Sequence, residues 1–434
     1  MTTTPRLRFA PAPTGYLHLG SARTALFNWL YARHCGGELV LRVEDTNAEL
    51  ARPELIDNIY ESLEWLGIDW DGEPVRQSRR DELYQDAVER LLADGRAYED
   101  DGAIRFRVGD EGTTSWDDVV RGTVTFEHEH VEDFVIRRGD GSATFFIANA
   151  VDDLDLGITH VVRGEDLVNV TPKVIMLRRA LGHDDLPVFA HLPLIVNEQR
   201  KKLSKRRDDV SLSSYRDRGI LAAAMTNYLA LLGWGPPDDV EVRPMSEIVE
   251  LFELEDINAS AAMFDIKKLE AINGDYVRAM STADLAAAIR PWVDETSWGP
   301  GVSAEQLEAV VPLLQERTRG LEDAPGVVDF LFLDEPEIDE ASWDKVMTTE
   351  TAVPMLDGAH EQYEAVEWTA EALHAATLAV GEGLGLKLGK AQAPVRVAVT
   401  GRTVGPPLFE SLELLGRDEV LRRIQAAQLR LANS

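Results

Sequence analysis

Two short runs of the chain carry residue types suited to a phosphate chain. In RFAPAPTGYLHLGS, residues 8–21, an alternating stretch ends, a proline-stiffened loop turns, and His18-x-Gly20 falls where a helix begins. A helix start offers unpaired N–H groups and the positive end of a dipole, which suits phosphate. Gly20 lets backbone come close to a ligand, and His18 can bring a hydrogen bond or a positive charge to a phosphoryl oxygen. In KKLSKR, residues 201–206, Lys202 and Lys205 are spaced to approach one phosphate chain, and Ser204 can hydrogen-bond to it. Neither run is specific alone. A His-x-Gly triplet also suits a solvent-facing helix residue, and a basic run suits a solvated loop. Their order, with parallel-sheet signals between them, makes them a pair.

The elements that must position these residues follow from periodicity. Leu7 and Phe9 alternate with Arg6 and Arg8, a short strand, and a Pro/Gly loop occupies 10–15. Ala22, Ala25, Leu26, Trp29 and Leu30 then recur at helical spacing and predict an amphipathic helix closed by Gly36 and Gly37. Residues 38–43 read as the next strand. This strand–loop–helix–strand unit is the start of a parallel nucleotide-binding sheet. Helical patterns follow at 53–66 and 81–94. Residues 103–138 are rich in strand and turn signals, with Thr123, Val124, Thr125 and Phe126 a β-type run. Sheet signals resume at 159–163 and 188–196, with a helix between them over 171–181. From Tyr215 onward the pattern is almost entirely helical.

The 434 residues exceed one ordinary core and predict several domains. Apolar content of 44% and charged content of 28% belong to a soluble globular chain. No apolar run reaches the roughly 18 residues a membrane span needs, and MTTTPRLRF has no apolar signal core. A cytoplasmic location away from membranes is expected. Cys35 is the single cysteine, which excludes an internal disulfide and any zinc site built on two thiolates. The net charge of −32 would by itself argue against a nucleic-acid partner. The charge is uneven, however. Acid gathers at 238–241 and 335–340 and base at 200–207, so a local contact with a polyanion remains open.

The runs HLGS at 18–21 and KLSKR at 202–206 resemble the HIGH and KMSKS signatures of class I aminoacyl-tRNA synthetases. The likeness narrows further. GSARTALFNWLYARH, VLRVEDTN, WLGIDWDG, RQSRRDELY, THVVRGEDLVNVTP, SLSSYRDRG, NYLALLGW and MFDIKKLEAINGDYV are similar to the bacterial glutamyl-tRNA synthetases, as, more weakly, is PVRVAVTG. The resemblance runs nearly end to end. It implies a glutamate–tRNA ligase: the α-carboxylate of glutamate attacks the α-phosphate of ATP, and the 2′-hydroxyl at the tRNA end then takes the acyl group. Catalysis of this kind is positioning and charge stabilisation without an enzyme nucleophile.

The resemblance also implies a residue map. Arg8 and Arg163 pair with the side-chain carboxylate of glutamate, for which guanidinium forks are suited. Glu44 takes the ammonium group, Asn149 hydrogen-bonds the amino acid, and Ala10, Ala12 and Phe145 line the same pocket. ATP, as its Mg2+ complex, meets His18, Gly20, Glu165, Lys202, Ser204 and Lys205, with Asp166 near the adenosine. His18, Lys202 and Lys205 carry the catalytic charge stabilisation. Arg317, or its neighbour Arg319, reads the anticodon. Arg163 and Glu44 could instead be structural ion-pair partners, and Arg317 a surface arginine.

Three departures qualify the map. Ala12 and Phe145 stand where the family usually has Ser and Tyr. Each loses a hydroxyl, and one hydrogen bond is worth about 0.5–1.5 kcal/mol. The long insertion that grips the acceptor stem in the family is shortened, since Tyr98 leads almost directly to Ile104-Arg105-Phe106. Zinc, carried there by some members, is not expected.

The expected fold is α/β: a Rossmann-type parallel-sheet catalytic domain over 1–82 and 147–210, a shortened α+β acceptor-end insertion over 83–146, and an all-helical C-terminal half. That half divides into a junction domain, 211–280, and an anticodon-binding region, 281–434. Expected partners are tRNA for glutamate, ATP and L-glutamate, for a monomer. Competing readings are an enzyme that also charges tRNA for glutamine, a relative that glutamylates queuosine in tRNA, a nucleotidylyltransferase, and a non-catalytic tRNA-binding paralogue. The queuosine relative lacks an anticodon-binding domain, and intact His18, Lys202 and Lys205 count against the paralogue.

Overall fold

The computed structural model describes residues 4–47, 50–203, 211–315 and 317–433. These form two compact units, one reaching to Asp217 and resuming over Leu221–Ile272, the other built from 218–220 and 273 onward.

The first unit begins with β1 (Arg6–Phe9), α1 (Leu19–His34) and β2 (Glu38–Val43), with β1 and β2 parallel and Arg8 opposite Val40. The turn between α1 and β2 needs glycine twice. Gly36 has φ +61°, and a Cβ on Gly37 would meet the Pro5 carbonyl oxygen at 2.3 Å. The helix α2 (Pro53–Trp65) starts on a proline, whose missing N–H is harmless there. It leads to β3 (Val75–Arg76), parallel to β2.

After α3 (Asp81–Ala93) come β4 (Ala97–Asp100), β5 (Ala103–Phe106), β6 (Thr113–Asp118), β7 (Gly122–Glu127) and β8 (Phe134–Arg137). The span 103–138, expected as one insertion, contributes to two sheets. Strands β4, β5 and β8 make a sheet of their own. The β6–β7 hairpin joins β9 (His160–Gly164) and β10 (Val188–Leu192) in the order β7-β6-β10-β9. The pairing of β6 with β10 is non-local, so no periodicity within 103–138 announces it.

Helix α4 (Phe145–Asp155) precedes β9, and α5 (Thr171–Ala180) connects β9 to β10. Thr159, just ahead of β9, exchanges hydrogen bonds with Arg6 of β1. The chain therefore leaves β1 toward β2 on one side and returns as β9 on the other. This is the switch point at which open α/β sheets bind ligands, beyond the strands' carboxyl ends.

Helix α1 is less amphipathic than its sequence pattern predicts. Arg23, Phe27 and Asn28 are buried along with the expected stripe. The reason lies downstream. After β11 (Ile195–Val196) and α6 (Leu212–Asp217), α7 (Ala222–Leu231) and α8 (Met245–Leu251) cover its outer side. Carbonyls take most of the buried N–H groups: Arg23 donates to Leu232 O and Pro193 O, and Asn28 to Val162 O, while Arg23 Nε and Asn28 Oδ1 have no partner among the described residues. Strand β12 (Ala262–Met263) pairs in parallel with β11, and α9 (Ile266–Ala279) closes this part of the chain.

The second unit is helical: α10 (Thr282–Asp294), α11 (Ala304–Gln315), α12 (Ala324–Val328), α13 (Glu340–Met347), α14 (Ala352–Ala365), α15 (Ala370–Gly383), α16 (Leu388–Thr400), α17 (Leu408–Leu415) and α18 (Arg417–Ala432). Its main core joins Trp343, Leu356, Tyr363, Val395, Leu412 and Ile424. Ser281, Asp339 and Thr369 cap α10, α13 and α15 through their side-chain oxygens.

Candidate functional site

A cavity of about 610 Å³ opens at the carboxyl ends of β1 and β9. It gathers Arg8, Ala10, Ala12, His18, Gly20, Glu44, Phe145, Asn149, Arg163 and Lys202, which lie far apart in sequence. Glu165 is not among the lining residues. Its carboxylate accepts from Leu194 N at 2.7 Å and from Arg121, and the neighbouring Asp166 lines the cavity instead. Ser204 and Lys205 lie outside the described residues.

At the mouth of the cavity, His18 is the N-cap of α1. Its Nδ1 accepts from Ser21 N at 3.2 Å. A neutral ring so bonded carries its proton on Nε2, 3.2 Å from Ser21 Oγ, where it can also be donated to an incoming oxygen. A Cβ on Gly20 would stand 3.2 Å from that ring, so any side chain there crowds His18. Lys202 follows the turn 197–201, in which Asn197 N and Lys201 O bond at 2.9 Å and Arg200 takes φ +56°. The Lys202 ammonium lies 3.4 Å from Asp166. Both side chains are more than half exposed, so the pair is weak and easily parted.

The inner wall is a buried ionic cluster. Arg8 Nε donates to Asp153 at 3.1 Å, Arg42 Nη1 to the same Asp153 oxygen at 2.5 Å, and Arg42 Nη2 to Glu44 at 3.1 Å. Asn149 Nδ2 reaches Glu44 at 3.3 Å, and its buried Oδ1 has no partner among the described residues. Burial opposes every one of these charges, and mutual attraction outweighs it for Asp153 and Arg42 but not for Arg8 and Glu44. Against burial, Arg8 and Arg42 hold Asp153 below the ordinary carboxylate value. Against burial, Asp153, Glu44 and Asp152 lift Arg42 above the ordinary guanidinium value. For Glu44 burial wins over Arg42 and Arg8 and raises its carboxyl.

Arg163 differs from its neighbours. It is 4% exposed and has no carboxylate partner among the described residues. Its nitrogens donate to neutral acceptors: Nε to His191 Nε2 at 3.2 Å and Nη2 to Thr171 Oγ1 at 2.7 Å. Burial, with repulsion from Arg8 behind it, pushes its pKa down to about 9. A guanidinium nonetheless keeps its proton near neutrality, so the site holds an uncompensated charge. The wall counts three guanidiniums, Arg8, Arg42 and Arg163, against the carboxylates of Asp153 and Glu44. Asp152 links the same cluster to Arg80, lying 3.8 Å from Arg42 and 2.7 Å from Arg80, which also binds Asp155. A buried guanidinium that faces a cavity without a carboxylate partner is a socket for a ligand carboxylate.

Sequence reasoning missed Arg42, Asp153, Thr171 and His191. The signal for Arg42 was present, because it stands two residues before Glu44 and so shares its strand face. Phe145, Asn149 and Asp153 fall at i, i+4 and i+8, one face of α4. In the second unit Arg317 and Arg319 are exposed. Arg396 of α16 is held below its ordinary value by burial and then by Arg317, which puts those two cations near each other.

Residues 5–103 and 100–271 match the family model for the catalytic domain of class I tRNA synthetases (E and Q), and residues 284–428 match an anticodon binding domain. The chain is 50% identical over 462 residues to a glutamate–tRNA ligase of Frankia casuarinae, covering 98% of each. It is 43% identical over 486 residues to that of Streptomyces coelicolor, again covering 98% of each. Both alignments are longer than the chain, so these relatives carry residues it lacks. Among solved structures it is similar to a glutamate tRNA ligase from Elizabethkingia meningosepticum in complex with its amino acid. The TM-score is 0.85 at 29% identity, over 99% of this chain and 100% of that one.

Proposed function

The chain belongs to the glutamate–tRNA ligases, a class I aminoacyl-tRNA synthetase family, and from that premise we infer that the cavity beyond β1 and β9 is where it activates glutamate. The reaction joins glutamate to tRNA at the expense of ATP. The observation that carries the site assignment is Arg163, a buried guanidinium on a cavity wall with no carboxylate partner among the described residues.

In this reading Arg163 and Arg8 receive the side-chain carboxylate of glutamate. Glu44 takes the ammonium group, and the free Oδ1 of Asn149 accepts a further N–H. Held so, the α-carboxylate faces the mouth of the cavity. ATP lies there with its phosphates toward the Nε2–H of His18, the first turn of α1 at Gly20, and Lys202, with Ser204 and Lys205 completing the basic loop. Asp166, more than Glu165, borders the nucleotide, and Glu165 braces the strand end through Leu194. The α-carboxylate attacks the α-phosphorus, pyrophosphate leaves, and the charge growing on the phosphoryl oxygens is met by His18 and the lysines. The terminal 2′-hydroxyl of tRNA then attacks the acyl carbon and AMP departs.

Magnesium is read as arriving on the ATP phosphates. Among the described residues no group of three or more His, Cys, Asp or Glu could hold a metal, and ATP-bound Mg2+ needs few protein ligands. The single cysteine supports a chain that works without zinc. The acceptor-end insertion is read as shortened, which the break of the family match at 100–103 supports. The helical unit is assigned to the anticodon, with Arg317 as the reader and Arg319 behind it. The match over 284–428 supports this against the queuosine-modifying relative. No helix among the described residues is long and apolar enough to cross a membrane. We assign the chain to the cytoplasm as a monomer, which sedimentation at working concentration checks.

Aminoacylation of purified glutamate and glutamine tRNAs with labelled glutamate tests the whole. Charging of the glutamate tRNA is expected. Charging of both would widen the tRNA range, and charging of neither refutes the assignment.

A further inference from the structure

Arg163 does not hold its orientation alone. Strands β9 and β10 are in a register that sets Arg163 opposite His191, so the two side chains share a sheet face. His191 is fully buried, and its Nδ1 bonds to Asp118 Oδ2 at the end of β6. The other Asp118 oxygen accepts three backbone N–H groups: His191 at 3.1 Å, Val120 at 3.1 Å and Arg121 at 3.0 Å. A carboxylate with one oxygen fixed by three donors can offer the second only as an acceptor. The His191 proton must then sit on Nδ1, which leaves Nε2 as the acceptor for Arg163 Nε. Thr171 Oγ1 accepts from Arg163 Nη2 at 2.7 Å and has its single proton to share between Leu167 O and His191 Nε2, each at 3.1 Å. Two guanidinium nitrogens are thereby tied to neutral groups, and Nη1 is left for the cavity.

We propose that Asp118 and His191 are positioning residues for the substrate's side-chain carboxylate: they fix the Arg163 guanidinium toward the cavity without neutralising it. The imidazole acts as a spacer. It transmits the orientation set by Asp118 while keeping that negative charge one ring away from the cation, much as outer partners orient metal-binding histidines. The inference rests on the reading that Arg163 receives the glutamate carboxylate.

Asp118→Asn is the sharpest probe because it preserves size. The three backbone donors keep the amide oxygen where Oδ1 was, so the amide N–H₂ faces His191 Nδ1. The imidazole must then carry its proton on Nε2, pointed at Arg163 Nε–H. Pyrophosphate exchange with saturating tRNA should show KM for glutamate raised about tenfold or more, as the loss of a charge-assisted hydrogen bond implies. KM for ATP and kcat should stay within about threefold, since the nucleotide half of the site is untouched. His191→Phe should behave likewise. His191→Gln, which returns a carbonyl oxygen near the Nε2 position, should recover most of the affinity. Adding Asp118→Asn to His191→Gln should then cost little more, because no tautomer remains to be set.

A glutamate KM unmoved by Asp118→Asn overturns the proposal. So does a parallel rise in both KM values with falling kcat, or a Gln variant no better than Phe. If His191→Phe does not fold, Asp118→Asn decides alone. Arg163→Ala separates the two levels. If it weakens glutamate while Asp118→Asn does not, only the positioning role fails. If it leaves glutamate unaffected, the underlying assignment of Arg163 fails.

Discussion

Arg163→Ala should separate binding from stability, and the structure says by how much. Removing one partner of a buried ion pair costs about 3–5 kcal/mol, because the other charge is stranded. At 1.4 kcal/mol per decade, glutamate affinity should fall between about a hundredfold and a few thousandfold. The lower end is expected here. Arg8 has Nε bound to Asp153, but its remaining nitrogens can still meet the ligand. Folding should respond differently. Arg163 makes no ion pair among the described residues, so its removal strands no carboxylate. It relieves an uncompensated buried charge while leaving the Thr171 and His191 acceptors short of a donor at about 1–3 kcal/mol each. These effects oppose, and the midpoint of urea unfolding should move little. Arg42→Ala is the contrast. It bonds Asp153 at 2.5 Å and Glu44 at 3.1 Å in full burial, so its loss should destabilise the fold by about 3–5 kcal/mol. Pyrophosphate exchange against glutamate concentration, beside urea curves for both variants, reads the result. A glutamate KM raised less than about fivefold in Arg163→Ala, or a stability loss matching that of Arg42→Ala, refutes the reasoning.

Four further outcomes are expected. Lys205→Ala should lower adenylate formation by about two to three orders of magnitude if it stabilises the transition state, and near-normal single-turnover rates would exclude that role. Arg317→Ala should erode discrimination between the glutamate and glutamine anticodons, worth about 1–3 kcal/mol for a bidentate base contact; unchanged kcat/KM ratios for the two tRNAs would assign Arg317 to the surface. With a net charge of −32, stability should rise with KCl as the Debye length contracts from about 10 to about 3 Å between about 0.1 and 1 M, and a flat profile shows that self-repulsion of the acid excess does not limit stability. Burial holds both His160 and His191 below the ordinary 6.5. The unfolded chain therefore takes up protons that the fold refuses, and stability should drop by up to about 1 kcal/mol per histidine between pH 7.5 and 6; a urea midpoint constant over that range contradicts it.

What the sequence made legible follows the range of the interactions involved. The first strand, the helix after it, β2 and α2 were readable because each is written in local periodicity. The burial of Arg23 and Asn28 on α1 was not, because α7 and α8 come from residues 222–251. The β6–β7 hairpin was readable as β structure but not as a partner of β10, some seventy residues later. At the site, His18, Gly20 and Lys202 stand in contiguous motifs whose chemistry shows in one glance at residue types. Arg8, Glu44, Asn149 and Arg163 are scattered, and only the family resemblance drew them together; the cavity lining now does so by geometry. Asp118 and His191 escaped because an aspartate at a strand end and a histidine inside a strand look like ordinary residues until the register is known.

The acidity of the whole chain and its use of anionic substrates are reconciled by screening. In about 0.15 M salt an exposed carboxylate is screened beyond about 8 Å, so exposed acid governs solubility more than it governs a buried wall. Groups buried in that wall interact almost unscreened, and there Arg163 stands without a carboxylate partner among the described residues. On the proposed assignment, glutamate offers Arg163 a side-chain carboxylate, and the amide of glutamine does not. This also explains why Arg163 is anchored by an imidazole and a hydroxyl. A carboxylate in either place would neutralise it and leave little to favour an acid side chain over its amide.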